Sequence, residues 1–184
     1  MSRALILYAT AEGQTARIAE RIAQTLRESG HAAETCPAKG ATASLEAAKY
    51  DGVIVGASIH YGRHPAYLRA LVRSHRAALE ARPGAFFSVS LSGGGPGAKP
   101  EAARRYLEVF LRQTGWHPQQ TATFAGALPY SRYGAFKRML MIAFVGLAGG
   151  DIDTSRDYEY TDWDAVERFA AAFARRLRPT QEAA

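Results

Sequence analysis

Thr10, Ala11, Glu12, Gly13, Gln14 and Thr15 follow one another between an apolar run and a helical pattern. Two hydroxyls and a glycine at that junction suit an anion. A helix amino end offers unpaired N–H groups and the positive end of a dipole, and glycine lets the backbone come close. The loop lacks the lysine of a nucleoside-triphosphate loop and the triple glycine of a dinucleotide fingerprint, so a phosphate monoester is the ligand that fits. Thr15 as a plain helix cap and Gly13 as a plain turn would use the same residues without any ligand.

Two further loops carry polar and glycine residues. One is Ser58, Ile59, His60, Tyr61, Gly62, Arg63 and His64; the other begins at Ser90 and Leu91 and runs through Ser92 and Gly93 into a glycine-rich stretch ending at Gly97. Tyr61 or His60 could stack on a flat ring while glycine backbone supplies N–H donors. A flat ring with a single phosphate points to flavin mononucleotide (FMN). His60, Tyr61 and His64 are the candidates for proton handling, because imidazole is the side chain that changes charge near neutrality. Tyr61 packed under a helix, with both histidines solvated, is the bland alternative. The five histidines are scattered without a carboxylate partner at ligand spacing, so no metal is expected.

These loops need a scaffold that brings them together. Apolar runs at residues 4–8, 32–36, 52–57, 85–91 and 122–128 read as strands. Between them, residues 15–28, 65–79 and 100–114 have helical periodicity, with Gly30 and Gly115 as stops and Pro65 and Pro100 in first turns. A last helix begins at Thr161 or Asp162. The alternation predicts one α/β domain over residues 1–184, a three-layer sandwich with a five-stranded parallel sheet covered by helices on both faces. Residues 129–160 interrupt it, far longer than an ordinary connection and too apolar for disorder.

The chain has 184 residues, 47% hydrophobic and 22% charged, with a formal charge of +6. That balance argues against an acidic electron carrier and favours an anionic partner. The single Cys36 excludes an internal disulfide, and the short stretch before the first apolar run is no signal peptide, so a cytoplasmic protein is expected. Arg63, Arg69, Arg73, Arg76 and Arg82 cluster near one helix, and Arg175, Arg176 and Arg178 near the end; without a stacking platform they read as a solvated face, not a nucleic-acid site.

The segment ATAEGQTARIAERIA has the Thr-x-x-Gly-x-Thr pattern of flavodoxin-like proteins. With GASIHYGRHP at 56–65, FFSVSLS at 86–92, AGALPYSRYGAFKRMLM at 125–141 and AGGDIDTSRDYEYTDWDAVERFA at 148–170, nearly the whole chain resembles the bacterial flavodoxin-like, quinone-dependent protoporphyrinogen oxidases. The glycine run at 92–97 is denser than that family's pattern. The resemblance implies strand order 2-1-3-4-5 with a long insertion after or within the fifth strand. It implies FMN held by Thr10 to Thr15 and bordered by Ser58 to Gly62 and by Ser90 to Gly93. It also implies protoporphyrinogen IX as substrate and menaquinone or ubiquinone as acceptor.

Residues 139–148, MLMIAFVGLA, carry no charge and follow Arg132, Lys137 and Arg138. A helix of that length reaches about 15 Å, half of a bilayer's hydrocarbon core of about 30 Å. It could lie on an anionic membrane surface, each basic group adding about 1 kcal/mol, or be a buried helix or a contact in a homo-oligomer; the resemblance implies the membrane, at its inner face. The competing functions are a flavodoxin-type electron carrier, an NAD(P)H:quinone reductase and a signalling receiver, the last lacking the paired acids it would need.

Overall fold

A computed structural model describes residues 1–40, 47–132, 139, 142, 145–146, 149 and 151–177. Five strands form one parallel sheet: β1 (Arg3–Ala9), β2 (Ala32–Pro37), β3 (Gly52–Ser58), β4 (Gly84–Ser90) and β5 (Gln120–Ala125), in the order β2-β1-β3-β4-β5. Every residue of β4 and nearly every one of β1 and β3 is buried, the near-continuous apolar strand that a sheet covered on both faces requires.

Successive side chains alternate between two cores. Ile6, Ile54 and Phe87 point toward α1 (Gln14–Glu28) and the last helix, meeting Ile18, Ile22, Phe169 and Phe173. Leu7, Val55 and Phe86 point the other way, toward α2 (Ala66–Ser74), α3 (Arg76–Glu80) and α4 (Pro100–Thr114), meeting Leu68, Leu79, Phe110 and Trp116. The last helix, α5 (Trp163–Ala174), is capped by Asp162, whose side chain accepts from the Ala165 N–H.

The expected helix over 65–79 is broken at His75. Ser74 Oγ donates to the Leu71 carbonyl at 2.9 Å and His75 Nδ1 lies 3.0 Å from it, so side chains compete for a helical acceptor and the chain restarts as α3. The expected fifth strand over 122–128 also divides. β5 starts earlier, at Gln120, and stops where β4 runs out, at the pair Ser90 and Ala125. The chain then turns at Gly126, and β6 (Ala127–Leu128) pairs antiparallel with β7 (Tyr158–Glu159).

This ribbon is the neck of the insertion. The Gly126 N–H donates to the Ser90 carbonyl, the Tyr160 N–H to the Gly126 carbonyl, and Thr161 Oγ1 to the Ala125 carbonyl. Both ends of the excursion are thus tied to the tip of the sheet. Met139, Ile142 and Val145 have helical backbone. Val145 is buried, with Ile142 packed beside it, in a satellite core with Leu128 and Tyr130, while Met139 is 59% exposed. Lys137, Arg138 and the rest of the apolar run at 139–148 lie outside the described residues, as does Arg178. Among the described residues, no helix is long and apolar enough to cross a membrane.

Candidate functional site

The carboxyl ends of β1, β3 and β4 are in register: Ala9 pairs with Ala57, and Ser58 with Val89. β2 and β3 lie on opposite sides of β1, so the edge at β1 and β3 is where the strand order reverses and a crevice opens. Three loops meet there.

The first is the hydroxyl loop. Thr10 Oγ1 accepts from the Gly13 N–H at 2.9 Å, closing the turn, and Gly13 has φ of 93°, which favours glycine. No side chain caps α1 and no acid stands in its first turn. Thr15 is not a cap. Its Oγ1 is buried and has no hydrogen-bond partner. A buried hydroxyl left unpaired is costly in a folded protein, and here it sits one residue inside a bare helix amino end. These groups fit a phosphate monoester. The Gln14 side chain is turned elsewhere: its Nε2 donates to Thr161 Oγ1 at 2.8 Å and to Glu159 Oε1 at 3.1 Å, and its Oε1 accepts from Arg17. It clips the neck of the insertion to α1 and leaves only its backbone for an anion. Ala11 is exposed and Glu12 half-buried.

The second loop follows β3. Ser58 Oγ is 3.5 Å from the Ala9 carbonyl, and the Ile59 N–H donates to the Val89 carbonyl at 2.8 Å, holding the loop to both neighbouring strands. His60 and Arg63 exchange backbone hydrogen bonds across Tyr61 and Gly62, whose φ values are 48° and 74°. Two successive positive φ angles make the tight two-residue hairpin turn that normally asks for Asn-Gly. A tyrosine at the first position carries backbone strain. Tyr61 is 82% exposed at the tip, with the His60 ring 4.2 Å from its own. Strain and exposure together hold an aromatic face out to solvent beside the crevice.

His64 is not brought to this edge, against the expectation that it handles protons there. It is 4% exposed, wedged edge-on against Phe86 and Phe110, with Nε2 2.9 Å from Ser88 Oγ. Burial, aided by the charge of Arg69, pushes its pKa from 6.5 down to about 4. The unfolded chain therefore takes up a proton between pH 6.5 and about 4 that the folded protein refuses, so the stability held by neutral His64 is complete above pH 6.5 and lost as pH falls toward 4. The full amount is about 3 kcal/mol. Urea midpoints at pH 7 and pH 4.5 should fall further for the wild type than for His64→Gln; equal falls would show that His64 is not kept neutral.

The third loop follows β4. Ser90 is buried, while Leu91, Ser92 and Gly93 are half-buried. The glycine run that departs from the family pattern has a packing reason. A Cβ on Gly93 would meet the Phe124 carbonyl oxygen at 2.5 Å, and one on Gly95 would meet the Tyr160 ring at 2.6 Å. The loop is pressed against β5 on one side and the insertion neck on the other. Tyr160 is held by a hydrogen bond from its hydroxyl to Asp151, and burial followed by that carboxylate pushes its pKa well above the usual tyrosine range. Nothing local in the sequence marks Tyr160 as a support of the site, or shows that the Gln14 side chain braces the insertion neck.

Residues 5–155 match the family described as flavodoxin domain. The chain is 38% identical over 173 residues to "Protoporphyrinogen IX dehydrogenase [quinone]" of Leishmania major, covering 94% of this chain and 74% of that protein. It is 34% identical over 172 residues to the protein of the same name in Escherichia coli strain K12, covering 94% of each. Among solved structures, oxidised flavodoxin 1 from Bacillus cereus is similar with a TM-score of 0.55 at 17% identity, over 96% of this chain and all of that one, a likeness of fold.

Proposed function

We infer the reaction from this premise: the chain belongs to the flavodoxin domain family, among the quinone-linked protoporphyrinogen IX dehydrogenases. It oxidises protoporphyrinogen IX to protoporphyrin IX with FMN as cofactor and delivers the electrons to a quinone. The buried, unpartnered Thr15 hydroxyl at the bare end of α1 carries the assignment of the crevice to FMN, because the 2-1-3-4-5 sheet binds that cofactor where β1 and β3 diverge.

Bound FMN supplies the hydride-accepting chemistry. The Thr10, Gly13 and Thr15 loop would hold its phosphate, with backbone N–H groups of α1 completing the shell. The loops at Ser58–Gly62 and Ser90–Gly93 would border the ring. Tyr61 would offer a flat face against which a macrocycle is held, and His60, its ring 4.2 Å away, would take or return a proton. Tyr61→Ala should lower kcat/KM about tenfold without lowering the Tm, since an exposed ring adds little to folding; an unchanged kcat/KM would remove Tyr61 from the reaction.

The direct test follows porphyrin fluorescence from FMN-loaded protein given protoporphyrinogen IX, with and without a soluble quinone. Fluorescence that requires both flavin and quinone is the expected result. Flavin bleached by NADH and not by the porphyrinogen would replace this reading with a nicotinamide-linked quinone reductase.

The insertion is read as the membrane contact, which keeps an apolar substrate and a lipid-borne quinone near the crevice. The basic residues Arg132, Lys137 and Arg138 and the exposed Met139 support this. Val145 belongs to the satellite core, so deleting the apolar run would damage packing as well. Charge reversal is the cleaner test: the wild type should sediment with anionic vesicles and not with zwitterionic ones, and Lys137→Glu with Arg138→Glu should stay in the supernatant. Equal sedimentation of wild type and variant would overturn the membrane reading.

A further inference from the structure

Behind the hairpin lies a trough between α2 and α4. A cavity of about 440 Å³ is lined by Arg63, Arg69 and Arg105, with Tyr106 and Val109 among its apolar walls. A second, of about 340 Å³, shares Arg69 and Gln113 with the first and adds Arg73. Four arginines thus line two adjoining concavities that share Arg69 and Gln113, and no Asp or Glu lines either of them.

Arg3 and the arginines of α1 are placed differently. All three arginines of α1 have carboxylate partners, Arg17 with Glu159, Arg21 with Glu167 and Arg27 with Glu20, and Arg3 is paired with Glu34. Among the described residues, none of the four trough arginines has an ion pair. Arg69 is half-buried, and its guanidinium is oriented by a neutral group, with Nη1 donating to Gln113 Oε1 at 2.6 Å. An arginine positioned by an amide keeps its full charge available and most of its donors free. Its field reaches inward far enough to help keep His64 neutral.

The trough is also in the right place. Gly62 and Arg63, which line it, are the second half of the hairpin whose first half presents His60 and Tyr61 to the crevice. A ligand lying across the hairpin would have one edge beside the flavin and the other over the arginines.

We propose that this trough is the carboxylate-binding site for the propionate side chains of the tetrapyrrole, Arg63 and Arg105 engaging them directly, the half-buried Arg69 supplying the inner charge and Arg73 adding charge at the adjoining concavity. The proposal rests on the porphyrinogen reading above and adds how the substrate is oriented. Guanidinium and carboxylate match as paired donors and acceptors, while Tyr106 and Val109 give the apolar macrocycle edge a surface. With the propionates anchored here, the macrocycle has one way round across the hairpin.

The test uses FMN-loaded protein and two readouts. In turnover, Arg63→Gln combined with Arg105→Gln should raise the KM for protoporphyrinogen IX at least tenfold, leaving the FMN affinity unchanged. In equilibrium titration, protoporphyrin IX should bind the wild type at least tenfold more tightly than the variant, and its dimethyl ester should bind both alike. Equal binding of the free acid by wild type and variant would overturn the proposal. So would an ester that loses as much affinity as the acid, which would mean a damaged surface and not a lost charge contact. Wild-type flavin that porphyrinogen fails to reduce would sink the reaction reading alone, and the porphyrin titration would still decide the trough.

Discussion

Thr15→Val should bind FMN roughly ten- to hundredfold more weakly than the wild type while its flavin-free form melts no lower, and by a few degrees higher. The two effects have one origin. Thr15 Oγ1 is buried without a partner, so in the flavin-free protein the hydroxyl has given up water and received nothing, a cost of about 1–3 kcal/mol. Valine has nearly the same shape and keeps the β-branch, and it removes that cost. In a chain of this size, about 1 kcal/mol moves Tm by about 2–4 °C. With FMN held as proposed, the hydroxyl would donate to a phosphate oxygen, and hydrogen bonds to charged groups contribute about 1.5–3 kcal/mol. Tenfold in affinity is about 1.4 kcal/mol. Thermal melts of both proteins without flavin, and a fluorescence-quenching titration with FMN, read the two signs separately. A flavin-free variant that melts lower while binding FMN normally would make Thr15 a structural residue and leave the phosphate without its buried donor.

That loop was readable because its chemistry is local: Thr10, Gly13 and Thr15 sit at fixed offsets where a strand gives way to a helix. The parallel sheet followed in the same way from apolar runs alternating with helical periodicity, and its strand order from the family resemblance. What escaped the sequence depends on partners far along the chain. His64 reads as a polar loop residue until Phe110 of α4 and Phe86 of β4 close over it. The split of β5 at Gly126 depends on β4 ending at Ser90, which withdraws the ladder and leaves residues 127–128 to pair with β7. The arginines near α2 looked like a solvated face because charge alone does not show concavity; α4 supplies the opposite wall and Arg105.

Gly93 is the position where fold and site meet most tightly, and Gly93→Ala should lose both. A Cβ there would stand 2.5 Å from the Phe124 carbonyl oxygen, 2.7 Å from its carbon and 2.9 Å from the Ala125 nitrogen. All three are backbone atoms of β5, next to the point where Ser90 pairs with Ala125, so no side chain can swing aside. Either the strand end or the loop must move. Overpacking of this kind costs about 1–3 kcal/mol, and displacement of the loop would also spoil the border proposed for the flavin ring. The expected result is a Tm lowered by roughly 5 °C and FMN affinity reduced at least tenfold. Gly30→Ala is the control: its φ of 83°, a left-handed value that Gly93 does not share, is unwelcome to alanine, but nothing lies within 4 Å of the added carbon and the residue is at the far end of α1. It should cost about 1 kcal/mol of stability and leave FMN binding unchanged. Melting temperatures and FMN titrations of the two variants together separate general backbone strain from the close approach of loop and strand. If Gly93→Ala bound FMN as the wild type does, the loop after β4 would be a packing element of the sheet and not a wall of the flavin site.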